Sequence, residues 1–356
     1  MKIRIGYVPN SSNLQHPADR RRIAGWAKSS NLVLELDDPL DSDVLVLSNA
    51  ANFGFWMRSA KQPIILDLVD GYLGESPNFL KDFLRNLIRT VNGSSQLRWI
   101  TYTRHLRQAC KNANAVIVAS PEQKELILPL NRNVHVILDD HSELTIESSV
   151  DNLEFSHPIS EKKYIFWEGY GYTIKHFEIV SQDLDELMLK NSWGMYMVTV
   201  DSFAKWGGFI GKVKTKKVVK QLFPLSWANV EIIPWTLKNV VTYAKKSSIA
   251  VIPIDLLDNF GTLKSENKLL SMWTLGLPTL FSGIPSYIRV ASEAKLLDYC
   301  IFENNFKEIL VEKSRREVNF EDSKSMKSYL EKFHNQKLIF NQWEQVLSET
   351  WTGTNI

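Results

Sequence analysis

Short apolar runs recur along the chain with stretches of helical spacing between them, and this alternation constrains the fold more than any other feature. The runs at 3–8, 44–47, 64–68, 115–119 and 134–138 form a first series, separated by segments such as 18–28 and 97–111. A second series follows at 164–167, 195–200, 230–233, 249–254 and 279–281, with helical stretches such as 237–246 between its members. Apolar strands of this kind are buried on both faces, and strand-then-helix repetition supplies the helices that cover them. Each series therefore predicts a parallel sheet in an α/β domain.

A chain of 356 residues exceeds what one core usually holds, so two units of ordinary size are expected. With 44% hydrophobic and 23% charged residues there is ample material for both cores. The reading is a Rossmann-like domain over 1–148, a linker over 149–162, a second Rossmann-like domain over 163–322, and a terminal helical segment over 323–356. The linker lies in the polar stretch 142–162. The terminal segment carries Met326, Tyr329, Leu330, Phe333, Leu338, Ile339, Phe340, Trp343 and Leu347, the pattern of one long or broken amphipathic helix that must dock.

A formal charge of +2 argues against nucleic acid as a partner. Two basic clusters stand out, Arg20–Arg22 and the looser run Lys212, Lys214, Lys216, Lys217 and Lys220, each of which reads as a solvated face or as a contact for phosphate or an anionic membrane. Arg20–Arg22 with Lys81, Arg85 and Arg89 would form a basic N-domain surface of the second kind. Cys110 and Cys300 are far apart and lack metal-ligand spacing, so neither a disulfide framework nor a zinc site is expected. No window reaches the roughly 20 apolar residues of a spanning helix. These features suit a cytoplasmic protein, peripheral at most at the inner face of a membrane.

The first strand runs into Gly6-Tyr7-Val8-Pro9-Asn10, not a G-x-G-x-x-G turn, and there is no nucleophile elbow, Walker loop or H-E-x-x-H. Asp41-Ser42-Asp43 and Asp183-Leu184-Asp185 have the D-x-D form but read as solvated carboxylates. No metal and no cofactor are expected.

Chemistry concentrates in 248–287. An apolar strand, a polar loop and a short helix stopped by Gly276-Leu277-Pro278 place Ser265, Glu266, Asn267 and Lys268 at a helix start facing a strand's carboxyl end. In an open α/β sheet that crevice takes ligands, and a helix N-terminus favours an anion. The turn Glu168-Gly169-Tyr170-Gly171, followed by Lys175, reads equally as an ordinary βα turn or as a phosphate-binding loop. Asp67, Asp70, Asp139, Asp140 and His141 end strands of the first series, where carboxylates either meet hydroxyls of a substrate or cap the next helix. Trp206, Trp227 and Trp273 stack on a sugar or base, or fill the core.

Two Rossmann-like halves, a linker, a terminal helix and the segment SENKLLSMWTLGLPTL together resemble the GT-B glycosyltransferases, and within them the retaining family 4, also called group 1. The best local match runs from Asn267-Lys268-Leu269-Leu270 to Gly276-Leu277-Pro278 and looks like the family's N-K-x-x-E-x-x-A-x-G-x-P signature. Ile232-Ile233-Pro234-Trp235 is similar to the stretch that holds the donor base, Ala113–Gln123 to the family's strand-then-serine segment, and Asp19–Arg22 to its arginine-containing first helix. The resemblance implies two domains facing across a cleft, with the terminal helix packing back on the N-terminal domain. It implies transfer of a sugar from a nucleotide-sugar to a glycan or lipid-linked acceptor, with retention and without a metal, in making a surface polysaccharide.

In that frame Lys268 and Lys175 stabilise the leaving diphosphate and Asp70 faces the reacting centre. Gly169, Tyr170, Gly171, Trp235, Ser265, Glu266, Asn267 and Ser271 hold the donor, and Arg20, Asp67 and Asp139 meet the acceptor. Ser271 departs from the family, standing where a glutamate usually holds the donor ribose. A nucleotide-sugar epimerase of the same fold, or a binding protein that has lost the reaction, are the alternatives.

Overall fold

The computed structural model describes residues 3–74, 82–83, 86–87, 90, 101–150, 162–204, 211–301, 305–314 and 316–352. The chain divides into two compact units. The first comprises 1–140, 263–267 and 334–356; the second comprises 141–262 and 268–333.

The first unit is built on six parallel strands, β1 (Ile5–Val8), β2 (Leu34–Glu35), β3 (Val44–Ser48), β4 (Ile64–Leu68), β5 (Ala115–Val118) and β6 (Val134–Val136), in the order β2-β1-β3-β4-β5-β6. Side chains alternate across the sheet with period two, so each strand feeds two cores. Leu45, Leu47, Leu66, Val116 and Val118 pack on one face with Tyr102, Leu106, Ala109 and Cys110 of the helix Tyr102–Asn112. Ile5, Tyr7, Val44, Val46, Ile65 and Ile117 pack on the other with Ile23, Trp26 and Ala27. That second core also takes Ile339, Trp343, Val346 and Leu347 from the helix Gln336–Thr352. Trp343 is fully buried.

The helix expected over 18–28 is two pieces, Pro17–Arg20 and Ile23–Ser29, interrupted where Arg22 leaves helical geometry at φ −126° and ψ −129°. Tertiary bonding of the Arg22 side chain outweighs local helix propensity here. Asp19 fixes the loop that follows β1, its buried carboxylate accepting from the Tyr7 hydroxyl at 2.6 Å and from the backbone of Asn10 and Ser11 at 2.8 and 3.0 Å.

The second unit repeats the plan with β7 (Tyr164–Glu168), β8 (Gly194–Thr199), β11 (Val230–Pro234), β12 (Ile249–Ile252), β13 (Thr279–Ser282) and β14 (Cys300–Ile301), all parallel, in the order β11-β8-β7-β12-β13-β14. A separate antiparallel pair, β9 (Ser202–Ala204) and β10 (Lys212–Lys214), follows β8. The sequence reading took 142–162 as linker-like, but Ser142–Val150 is a helix of this unit, and the Lys245 ammonium donates to the Ser148 carbonyl at 2.7 Å. Residues 151–161 lie outside the described set.

Helix Asn267–Thr274 begins where the sequence placed it. It closes in a Schellman motif, Leu277 N–H to Met272 O at 3.0 Å and Gly276 N–H to Trp273 O at 2.8 Å, with Gly276 at φ +68°. Trp273 is core, edge-on to Tyr329. The terminal amphipathic pattern is a broken pair, Arg316–Phe333 and Gln336–Thr352.

Candidate functional site

In the second unit the strand order reverses between β7 and β12, and ligands of open α/β sheets bind outside the carboxyl ends of the strands at such a point. The residues arriving there are Glu168 and the turn after it, the loop after β12, and Lys268 from the helix Asn267–Thr274. The Lys268 ammonium donates to the Glu168 carbonyl at 2.6 Å and lies 5.1 Å from the centre of the Trp167 ring. The cation thus sits on the last residue of β7 and over an aromatic face.

Gly169 lets it approach. A β-carbon there would stand 2.7 Å from the Lys268 nitrogen and 2.8 Å from Trp167. The Gly169 N–H is used by the sheet, donating to Val198 O at 3.2 Å, so of the turn's amides only those further along can meet a ligand. Across the sheet Trp235 donates its indole N–H to the Glu168 carboxylate at 3.2 Å. The Thr199 hydroxyl, at the end of β8, is fully buried and bonded to no described group. An unsatisfied buried hydroxyl costs about 1–3 kcal/mol.

The turn continues as a 3₁₀ helix, Gly171–Ile179, opened by Thr173 bonding back to the Tyr170 carbonyl. Two contacts tie it to the loop after β12. Asp255 N–H donates to His176 Nδ1 at 3.2 Å, and Lys175 pairs with Asp258 at 2.7 Å. Burial would raise the Asp258 carboxyl, but the hydrogen bond and charge of Lys175 hold it below its ordinary value. Lys175 is therefore committed to a loop contact, though its side chain is exposed enough to meet an anion as well. Tyr170 and Tyr172 project from the same turn, 54% and 42% exposed, with ring centres 5.4 Å apart. Ser271 is buried with its hydroxyl 3.0 Å from His141 Nε2.

The other expected residues belong to the first unit. Asn267 accepts from Asp139 N–H at 3.2 Å, while Ser265 and Glu266, of the same unit, are buried. Asp70 lies 3.7 Å from Lys264, and Arg20 donates to the Gln15 carbonyl at 2.7 Å. Asp67 and Asp139, expected to face acceptor hydroxyls, do not present their carboxylates. Arg22 is wholly buried between them, its Nε 2.9 Å from Asp67 and its Nη1 3.0 Å from Asp139 and 2.8 Å from the Ile137 carbonyl. Burial alone would lower the guanidinium pKa, but the two carboxylates raise it above the ordinary value. Arg22 is thereby removed from the basic surface expected of 20–22; Lys81, Arg85 and Arg89 lie outside the described residues, as does Trp206.

The carboxylates of both D-x-D stretches are engaged by protein groups. Asp41 pairs with Arg4 on the surface and Asp43 accepts from Arg4 N–H at 2.8 Å. Asp185, read from sequence as solvated, is buried and accepts from Leu225 and Ser226. Among the described residues no group of three or more His, Cys, Asp or Glu could hold a metal ion, and no helix is long and apolar enough to cross a membrane.

No family model matches the chain, and no curated protein matches it in sequence. Solved structures match it in fold over nearly its whole length. Anabaena HepE, solved with UDP-glucose, is 10% identical with a TM-score of 0.61, covering 98% of this chain and 100% of that one. The fold is GT-B. WaaG, a glycosyltransferase involved in lipopolysaccharide biosynthesis, is 10% identical at TM-score 0.54, covering 96% and 98%. TarM is 11% identical at TM-score 0.57 over 94% of this chain, which spans only 58% of TarM's length. The two six-stranded parallel sheets are those of this two-domain α/β architecture.

Lys268 and the glycine turn, both singled out in the sequence, come together in the structure, with Glu168, Asp258, His176 and Thr199 around them, none of which the sequence marks as a site residue. Only the position of Glu168 beside the glycine pair could have drawn attention to it.

Proposed function

We propose that the chain is a glycosyltransferase that takes its sugar from a nucleotide-sugar bound at the β7–β12 switch point of the second unit. The observation that carries this is the Lys268 ammonium seated on the carboxyl end of β7 over the Gly169 turn. A departing nucleoside diphosphate needs preorganised positive charge, and a cation fixed by a backbone carbonyl and an aromatic face supplies it without reorganisation. The amides of Tyr170 and Gly171 and the ammonium of Lys175 add donors. Trp235 offers a face for the base, and the Thr199 hydroxyl gains a partner if a donor group reaches it. The likeness to HepE, solved with UDP-glucose, supports a nucleotide-sugar as ligand.

In this reading the bond from the anomeric carbon to the diphosphate oxygen breaks and the acceptor oxygen takes its place with retention. The acceptor proton passes to the leaving phosphate, so neither a metal nor a separate base is needed. Asp70 and Arg20 of the first unit are the groups offered to a glycan or lipid-linked acceptor, and surface polysaccharide synthesis is the setting. A binding protein without transfer is the second reading, favoured by Ser271, whose neutral hydroxyl faces His141 where the family signature has a carboxylate.

Calorimetric titration with UDP-, GDP-, dTDP- and CMP-sugars tests the site. One of them binds, and Lys268→Met weakens it about 10- to 100-fold, as expected for loss of a charge-assisted hydrogen bond. Failure of every donor to bind overturns the proposal. Product analysis with donor alone then separates transfer from epimerisation.

A further inference from the structure

Between Asp201 and Glu231 the sequence carries six lysines and no carboxylate, although the whole chain is only +2. Lys205 lies outside the described residues; Lys212, Lys214, Lys216, Lys217 and Lys220 are all exposed. Two consecutive elements carry the five. In β10 the alternation of side chains puts Lys212 and Lys214 on one face of the β9–β10 hairpin and Val213, paired with Phe203, on the other. Phe203 is buried and lies against Gly171, so the apolar face of the hairpin turns inward.

Helix Thr215–Leu222 follows, pinned by Thr215 N–H to the Asp201 carbonyl at 2.8 Å. It buries Thr215 and Val219, one turn apart, and exposes Lys216, Lys217 and Lys220 at spacings of three and four. Among the described residues none of the five lysines has an ion-pair partner, whereas Lys307 of the same unit is paired with both Asp183 and Glu186. Like charges at that spacing are mutually destabilising, and an external anion relieves them.

The helix ends in a turn that leaves Leu225 60% exposed. This is not a frayed tip. The buried Asp185 carboxylate accepts from Leu225 N–H at 3.0 Å, Ser226 N–H at 2.7 Å and the Ser226 hydroxyl at 2.6 Å, so the backbone that carries the exposed leucine is fixed just past the lysine-bearing helix. Trp227 lies next in the chain, half-buried, with the Lys216 ammonium 5.7 Å from its ring centre.

We propose that this face is a docking surface for an anionic phospholipid bilayer, with the lysines at the headgroups and Leu225 at the acyl boundary. A basic face beside a fixed apolar prong matches a layer of negative charge over a hydrocarbon interior. Nucleic acid would use the lysines but gain nothing from Leu225. The Phe203–Gly171 contact joins the surface to the turn after β7, so docking would hold the second unit's site beside the bilayer. The inference goes beyond the donor reading and does not depend on it, because vesicle binding needs no nucleotide.

Co-sedimentation of the full chain with phosphatidylcholine vesicles, with and without phosphatidylglycerol, tests it. Binding is expected only to the anionic vesicles and is lost at high salt. Each lysine near such a surface is worth roughly fivefold, so the triple variant K216Q/K217Q/K220Q should bind about a hundredfold more weakly. Leu225→Ser should weaken binding several-fold while leaving its salt dependence unchanged. Circular dichroism and melting temperature establish that each variant is folded, and K212Q/K214Q replaces the triple variant if that one is not. Equal binding to neutral vesicles, no binding at low salt, an unaffected lysine variant, or lysine-dependent retention on DNA with Leu225→Ser silent on vesicles would each overturn the proposal. Nucleotide-sugar titration of the same variants reports separately on the donor site.

Discussion

Arg22 shows how a side chain can be decisive without being a ligand. Its guanidinium is buried with two carboxylates and a carbonyl around it, and removing it strands those carboxylates in a low-dielectric core. Arg22→Met should therefore cost about 3–5 kcal/mol of stability in urea unfolding, with partial recovery when Asp67→Asn is added. His334 makes a pH prediction. Burial pushes its imidazole down to about 4, against the pull of Asp140, from an ordinary value of 6.5. The unfolded chain then binds more protons between those values, so stability is complete above about pH 6.5 and falls as pH drops toward 4, by about 3 kcal/mol in all. Comparing wild type with His334→Gln by denaturant titration across pH 4–7 should show that increment missing from the variant. From sequence, Asp67 and Asp139 were legible as strand-end carboxylates but not as partners of Arg22, because those contacts join residues 45 and 117 positions apart. Lys268 was legible as a helix-start cation for a local reason, the strand–loop–helix order, whereas its acceptor lies 100 positions earlier.

Among the elements, the strands most easily read were those buried on both faces: β3, β4, β5 and β12 are buried at every position, and all but Ser48 of β3 and Asp67 of β4 are apolar. The missed strands, β2, β9, β10 and β14, are two or three residues long and partly exposed, too short for any period to register. Helix Ser142–Val150 passed for linker because, of its described side chains, Leu144 alone is buried and Ile146 is 62% exposed, which erases the amphipathic stripe. The stop of helix Asn267–Thr274 was read correctly because its chemistry is local: a glycine at positive φ closing two backbone bonds. Gly276→Ala should cost about 1–2 kcal/mol, measured as a shift in the urea midpoint without a change in slope.

Taken whole, the molecule is not two consecutive beads. The first unit includes 334–356, and one of its two cores is walled by Ile339, Trp343, Val346 and Leu347. A chain cut after Phe333 should lose cooperative unfolding of the first unit, read as a lost calorimetric transition and a gain in dye binding to exposed apolar surface, even though residues 1–140 are all present. Two α/β units could be read from the repeating runs, but the return of the last helix to the first unit followed only from the family resemblance, because an amphipathic stripe says that a helix docks and not where.

That thread has a temporal side. Ribosomes add on the order of 5–20 residues per second, so the interval between completing residue 140 and reaching Trp343 is about 10–40 seconds. Throughout it the nascent sheet shows Ile5, Val44, Val46 and Ile65 to solvent with one wall missing, while a complete second domain is being made. A helper that shields apolar surface would be recruited then, and its hold should end when the tryptophan arrives.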